Sequence, residues 1–196
     1  MPRLILASHS PRRAALLQQL GLEFTVAPAA IDEQPHPDEP ADSYVLRMAR
    51  EKNRAARHHL STNAAPPTTA AIVLTADTAV VAAGQILGKP ADFAAGKSML
   101  ERLSGRTHQV LTAVTIAAQN GTEKSALSRS RVRFAPLTEP EIVAYWQTGE
   151  PHDKAGGYAI QGQGARFVVR LAGSYSGVVG LPLHETAALL AEFGID

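Results

Sequence analysis

"LASHSPRRAALLQQLG", residues 6 to 21, carries an apolar run that begins at Leu4 straight into a helix. The residues "LILA", 4 to 7, read as a short buried strand. Ser10 then reads as an N-cap and Pro11 as the first helical residue, with Gly21 as the stop after Ala14, Leu16, Leu17 and Leu20. Strand, turn and helix in this order open a mixed α/β fold. The same helix carries a conflict. Arg12 and Arg13 stand in its first turn, where the positive end of the helix dipole repels cations. Free backbone N–H groups at a helix start form an anion site, and the hydroxyls of Ser8 and Ser10 with Arg12 and Arg13 would clamp phosphate oxygens there. The plainer reading, two solvated arginines beside an N-cap, stays open from this segment alone.

At 196 residues, 45% hydrophobic and 19% charged, the chain can build one large domain or two intimate lobes around a substantial core. Its formal net charge of +1 argues against a generally basic nucleic-acid or membrane surface, so anion binding must come from locally gathered cations. A single tryptophan and few aromatics also disfavour base stacking on a nucleic acid. There is no cysteine, which excludes disulfides, thiolate metal sites and cysteine nucleophiles and fits a reducing compartment. The first apolar run is too short for a signal peptide, and no stretch approaches 18 uninterrupted apolar residues. A cytoplasmic protein is expected.

Further along, "EFTVAP" is a second strand, and "AIDEQPHPDEP", residues 30 to 40, is a proline-spaced acidic loop. Asp42 or Ser43 is expected to cap a long helix to about His59, followed by a low-complexity connector over residues 61 to 70. The apolar run 71 to 76 reads as a strand ending at Asp77, with a tight turn at Ala83 and Gly84. Asp92 caps a helix that stops at Gly105. Runs of roughly 14 residues on either side of Asn120 and Gly121 predict a long antiparallel hairpin. Thr138 with Glu141 forms a capping box for a helix ending at Gly149, and glycine-rich turns, a strand "RFVVRL" and a helix from Pro182 to Gly194 close the chain.

No P-loop pattern is present, the glycines of "AGGYAIQGQGARF" read as a turn-rich loop, and the seven histidines show no zinc-binding spacing. Two single residues stand out instead. Lys52 interrupts the apolar stripe Val45, Met48, Ala49, Ala55, Ala56 of the long helix, which aims a cation inward unless its stem packs and the ammonium snorkels out. Asp77, at the edge of a buried strand, suits a base or a metal ligand on a rigid element, or else an Asx-turn closing the strand. Lys89, in "GKP", follows within a dozen residues. Together these outline an electropositive pocket with acidic groups, suited to a polyphosphate and a divalent cation.

The ordered blocks "LASHSPRR", "IDEQ", "REKN", "ADTAVV", "GKP", "LSGRTHQVLTAV", "HDKAGGYAIQGQGARFV" and "GSYSGVVGLPLHET" resemble the Maf nucleotide pyrophosphatases nearly end to end. That resemblance implies an inosine triphosphate pyrophosphatase-like fold: residues 1–196 as a single domain, with a long curved mixed sheet between two lobes and a central cleft. It implies metal-dependent cleavage of nucleoside triphosphates to monophosphate and pyrophosphate, with Mg²⁺ or Mn²⁺, commonly in a homodimer, and a link to septum inhibition that would bring a division protein as partner. Carried over by position, it makes Asp77 the catalytic base and Glu33 a second functional acid, either of them also a metal ligand. Lys52 and Lys89 match the family's lysines, and Arg12, Thr78 and Gln161 are the positions that matter for substrate choice. His9 and the long connector depart from the pattern without touching a matched residue. "YAIQGQGA" looks like the pyrimidine subfamily, so dTTP and UTP are the expected substrates, with 5-methyl-UTP and pseudo-UTP alongside. A 7-methyl-GTP pyrophosphatase and a nucleotide-binding regulator of septum formation are the alternatives.

Overall fold

The opening strand and helix form as read, and the strand becomes an inner member of a larger sheet. In the computed structural model, which describes residues 3–63 and 71–195, β1 (Arg3–Leu6) lies parallel to both β2 (Phe24–Val26) and β3 (Ala71–Ala82). Leu4 stands opposite Phe24 on one side and Ile72 on the other. A strand flanked on both edges and covered on both faces must be apolar throughout, and Leu4, Ile5 and Leu6 are all buried. α1 (Pro11–Gln18) follows β1, with Ser10 at the N-cap position and Gly21 at φ +71 beyond its end. The side chain of Ser10 makes no capping hydrogen bond.

α2 spans Ala41–Asn63, so two boundaries differ from the sequence reading. Tyr44 N–H donates to the Pro40 carbonyl at 2.9 Å, which starts the helix before Asp42 and Ser43 and leaves Asp42 in the first turn, where its charge suits the dipole. At the other end the hydroxyls of Ser61 and Thr62 donate back to the His58 carbonyl, carrying the helix past His59. Residues 61–63 of the expected connector are therefore helical, and 64–70 lie outside the described residues.

β3 runs on through Asp77 for 12 residues, where the sequence reading ended it at residue 76. Its first half pairs with β1 and its second half, Val80 to Ala82, pairs antiparallel with β4 (Gln85–Leu87). Ala83 and Gly84 join them at φ +49 and +78, the left-handed pair that a two-residue hairpin turn requires. α3 (Phe93–Leu103) is capped by Asp92, whose side chain accepts from Ala95 N–H at 2.8 Å. β5 (Thr107–Ala118) and β6 (Glu123–Phe134) are the expected hairpin strands, 12 residues each and joined through Asn120 and Gly121. α4 (Glu139–Gln147) starts with the capping box, Glu141 accepting from Thr138 N–H at 2.7 Å. Short 3-10 turns between residues 150 and 167 lead to β7 (Val168–Ala172), then α5 (Tyr175–Val179), which the glycine-rich composition concealed, and α6 (Leu183–Glu192).

The result is a mixed α/β fold around one seven-stranded sheet, in the order β2-β1-β3-β5-β6-β7 with β4 on β3. The chain divides into two compact units: residues 1–77, 112–128 and 180–196 form the first, and 78–111 and 129–179 the second. The first packs Ile5, Ala7, Ala56, Ala71 and Val73 together, so the apolar stripe of α2 meets the strands β1 and β3. The second has an aromatic core of Phe134, Tyr145, Tyr158 and Phe167 with Leu100, Leu103 and Ile142 from the helices. No helix among the described residues is long and apolar enough to cross a membrane.

His108 sits in that second core at 3% exposure, edge-on to Phe134, with Nε2 at 2.8 Å from the Tyr158 hydroxyl and Nδ1 without a hydrogen-bond partner among the described residues. Burial pushes its pKa down to about 4, so the ring is neutral in the fold. The unfolded chain takes up the proton near pH 6.5 and the folded chain only near 4, so stability is full above 6.5 and drains away as pH falls between the two. Urea unfolding at pH 7 and pH 4 should show His108→Gln losing about 3 kcal/mol less than the parent across that interval. Equal losses in the two proteins would assign the acid sensitivity elsewhere.

Candidate active site

The residues expected to form an anion site at the start of α1 are gathered there and tied to one another. Ala7 N–H donates to the Leu74 carbonyl at 2.9 Å, so the chain follows β3 one residue beyond β1 before it turns. Ser8 is buried and its Oγ accepts from Ser10 N–H at 3.2 Å and from Arg13 Nη1 at 3.3 Å. Arg13 also donates through Nε to the Gly180 carbonyl at 2.8 Å, which fixes the guanidinium from two sides. Burial lowers the Arg13 pKa most, with Asp77 and Glu33 pulling it up and Arg12 pushing it down, so this cation lies in the field of both acids. Arg12 keeps a buried Nε with no hydrogen-bond partner among the described residues. A buried donor left without an acceptor beside a helix N-terminus matches an anion to be bound there.

Lys52 and Asp77 meet. Lys52 Nζ lies 2.7 Å from Asp77 Oδ1 and 2.8 Å from Glu33 Oε1, and the side chains of Lys52 and Asp77 are 12% and 9% exposed against 52% for Glu33. The lysine therefore does not snorkel to water. Asp77 closes no Asx-turn either, because it stands within a regular strand, in the stretch between the residues paired with β1 and those paired with β4. A carboxylate there is held by a rigid backbone, while the β1 edge beside it gives way to the turn into α1.

Two residues that the sequence reading passed over set this meeting. Asn53, fully buried next to Lys52, donates through Nδ2 to the Val73 carbonyl at 2.8 Å, and the Thr75 hydroxyl donates to the Ala49 carbonyl at 2.7 Å. Side chains at 75 and 77 leave the same face of a strand. Locking α2 to Val73 and Thr75 thus delivers the neighbouring Lys52 to Asp77. "REKN" showed a polar residue after the lysine, but helical periodicity cannot say that its amide reaches a strand carbonyl 20 residues away.

Glu33 is held from α2 as well. The Tyr44 hydroxyl donates to the Glu33 carbonyl at 2.9 Å, and its pKa is pushed up to about 12 by burial, then by Asp77 and Glu33. Arg47 grips Glu39 with Nε at 2.7 Å and Nη2 at 2.6 Å, and also donates to the Gln34 carbonyl at 3.1 Å. The Arg47 hydrogen bond holds the Glu39 carboxyl down at about 2, against the opposing effect of burial. The proline-rich loop is therefore pinned at Glu33 itself and at Gln34 and Glu39 beyond it.

The remaining candidates belong to the second unit. Thr78 follows Asp77 in β3 and is half-buried. Lys89 is exposed after β4, in a loop whose Gly88 carbonyl accepts from Gly156 N–H at 2.9 Å. Gln161 is exposed in the turn closed by Gly162 N–H on the Ala159 carbonyl at 3.3 Å. Within the first unit, Ser8, Ser10 and Arg13 form one group and Glu33, Lys52 and Asp77 another, and the electrostatic coupling of Arg13 to both acids joins the two.

Within the first unit, a mixed α/β fold thus sets a carboxylate held by an ammonium in the field of a cationic helix start. Residues 3–193 match the family model described as Maf-like protein, and the chain belongs to that family. It is 53% identical over 193 residues to a protein of Hahella chejuensis named dTTP/UTP pyrophosphatase, covering 98% of this chain and 93% of the relative. Proteins of the same name from Pasteurella multocida and Methylobacillus flagellatus are 50% and 49% identical, with 97% and 100% of this chain and 96% and 94% of the relatives covered. Among solved structures, a nucleoside-triphosphatase / dITP/XTP pyrophosphatase of Mycobacterium abscessus aligns at a TM-score of 0.41 and 16% identity, over 69% of this chain and 75% of that one.

Proposed function

We propose that this chain hydrolyses dTTP and UTP to the nucleoside monophosphate and pyrophosphate. The observation that carries the chemistry is the Asp77–Lys52–Glu33 arrangement, a carboxylate paired with an ammonium at 2.7 Å on a rigid strand. Names borne by relatives at about half identity over nearly the whole chain support the choice of substrate.

In this reading the triphosphate settles at the α1 N-terminus, where Ser8, Ser10, Arg12 and Arg13 supply donors. Asp77 takes a proton from the water that attacks the α-phosphorus, the bond from that phosphorus to the bridging oxygen breaks, and pyrophosphate leaves. Arg13, Lys52 and Lys89 offset the charge that builds on the leaving group. Gln161 reads the base edge, since uracil and thymine present an N–H between two carbonyl oxygens and a carboxamide offers both a donor and an acceptor.

Among the described residues no group of three or more His, Asp or Glu side chains could by itself hold a metal ion. Two converging carboxylates do fit a hard divalent cation of the kind held by one or two carboxylates plus substrate phosphates, and Glu33 and Asp77 would hold it. When bound, Mg²⁺ or Mn²⁺ would neutralise phosphate charge and polarise the phosphorus.

The test is pyrophosphate release from a panel of standard and modified triphosphates, with and without Mg²⁺. UTP and dTTP should lead the panel, and Gln161→Glu should reduce kcat/KM on both by about 10- to 100-fold, because a carboxylate facing carbonyl oxygens lacks the donor. A panel led by 7-methyl-GTP, or a Gln161→Glu protein with unchanged pyrimidine kinetics, would overturn the substrate assignment.

A further inference from the structure

Gln161 has an exposed side chain, yet the backbone on either side of it is held by the buried Tyr145 and the half-buried Glu150. On the N-terminal side the Tyr145 hydroxyl accepts from Ala159 N–H at 3.1 Å, and Tyr158 meets His108 at 2.8 Å. On the C-terminal side the Glu150 carboxylate accepts from Gln163 N–H at 2.8 Å through Oε2 and from Gly164 N–H at 3.0 Å through Oε1. The two clamps are tied together, because the Tyr145 hydroxyl donates to Glu150 Oε1 at 2.6 Å. The loop wraps the carboxylate so closely that a Cβ on Gly162 would lie 2.1 Å from Glu150 Oε2, and one on Gly164 would lie 2.6 Å from the Tyr145 hydroxyl. Burial raises the Glu150 pKa, but the Tyr145 hydroxyl and the two backbone N–H groups outweigh it and hold the carboxyl below its ordinary range.

We propose that Glu150, acting with Tyr145, is a positioning residue for base selection: its carboxylate fixes the turn that presents the Gln161 amide, although it touches no substrate itself. The inference rests on the reading of Gln161 as the group that meets the base. Its physical ground is preorganisation. A carboxamide discriminates an imide edge only if its donor and acceptor are held in register, and a surface turn has no packing of its own to do that. Glu150 supplies it, since the backbone N–H groups from which its carboxylate accepts are those of Gln163 and Gly164, just after Gln161 and Gly162. A carboxylate serving the core alone would face core groups, and apart from Tyr145 this one faces the loop.

The experiment compares kcat and KM for UTP and CTP in the full chain. CTP carries an amino group where UTP has a carbonyl, and an acceptor where UTP has an N–H. Glu150→Ala should lower the UTP/CTP ratio of kcat/KM by about tenfold or more, chiefly through KM for UTP, while CTP turnover moves less than about threefold. In a Gln161→Ala background the same substitution should leave the ratio unchanged, because the group that it positions is gone. Gly162→Ala, which keeps every charge and crowds the carboxylate, should reproduce the lowered ratio if Glu150→Ala folds poorly, and Tyr145→Phe should lower it in the same direction. Equal losses on UTP and CTP, or a ratio that still falls in the Gln161→Ala background, would make Glu150 a fold stabiliser and overturn the inference. If Gln161→Ala lowers the ratio and neither Glu150→Ala nor Gly162→Ala does, the positioning role fails and the reading of Gln161 stands. If Gln161→Ala itself leaves the ratio intact, the reading of Gln161 fails, and the inference falls with it.

Discussion

Asp77→Asn should lower turnover of UTP about 100- to 10,000-fold while the protein stays folded. The carboxamide oxygen can still accept from Lys52 at the position where Oδ1 now lies 2.7 Å from Nζ, so the strand and the helix keep their contact. What disappears is the negative charge and with it the capacity to accept a proton from water. Because Lys52 retains Glu33 at 2.8 Å, its ammonium is not stranded, and the change in stability should remain within about 1–2 kcal/mol. Steady-state pyrophosphate release beside a thermal melt separates the outcomes. Turnover within a few-fold of the parent would remove Asp77 from the chemistry, and a collapsed melt with normal residual turnover per folded molecule would make it a structural anchor.

Lys52→Met should come next in size, with kcat/KM on UTP reduced by about 100- to 1,000-fold, the range for losing one fixed electrostatic group in a poorly hydrated site. Methionine retains most of the stem that packs along α2, so the change is mainly one of charge. Without the ammonium, Glu33 and Asp77 face each other uncompensated, and a triphosphate would approach two carboxylates with one cation fewer. Stability should fall by about 1–3 kcal/mol, since one of the two carboxylates is half exposed and can turn to water. Function should therefore fail in a protein that still melts cooperatively. Kinetics within threefold of the parent would show that the lysine serves only to neutralise the two acids.

Several elements that depend on local rules stand where the sequence reading puts them. The strand feeding α1, the Asp92 cap, the capping box of Thr138 and Glu141, and the turn at Ala83 and Gly84 each depend on residues within about a helical turn of one another. The acidic end of α2 was misplaced because Asp42 and Ser43 both look like caps, and only the Tyr44 to Pro40 hydrogen bond tells which residue begins the helix. Ending β3 at residue 76 had a similar cause. A charged residue normally interrupts a buried strand, and here the charge is met by Lys52 from an element 25 residues earlier. The resemblance to the Maf family puts Asp77, Lys52 and Glu33 forward, while the residues alone leave snorkelling and an Asx-turn open; the contacts at 2.7 and 2.8 Å close the first and the strand that runs through Asp77 closes the second.

By itself, then, the sequence determined the mixed α/β class, most of the elements and the chemical types gathered near the helix start, because periodicity and capping are short-range properties written in neighbouring residues. Only the tertiary structure decided that Asn53 and Thr75 aim Lys52 at Asp77, that Tyr44 and Arg47 pin the loop of Glu33, and that Glu150 and Tyr145 hold the turn of Gln161. Most of these hydrogen bonds join side chains to backbone carbonyls or N–H groups on other elements. A backbone group is the same at every position, so no residue type in the sequence announces the partner. The fold supplies it by bringing strand, helix and loop to within hydrogen-bond distance.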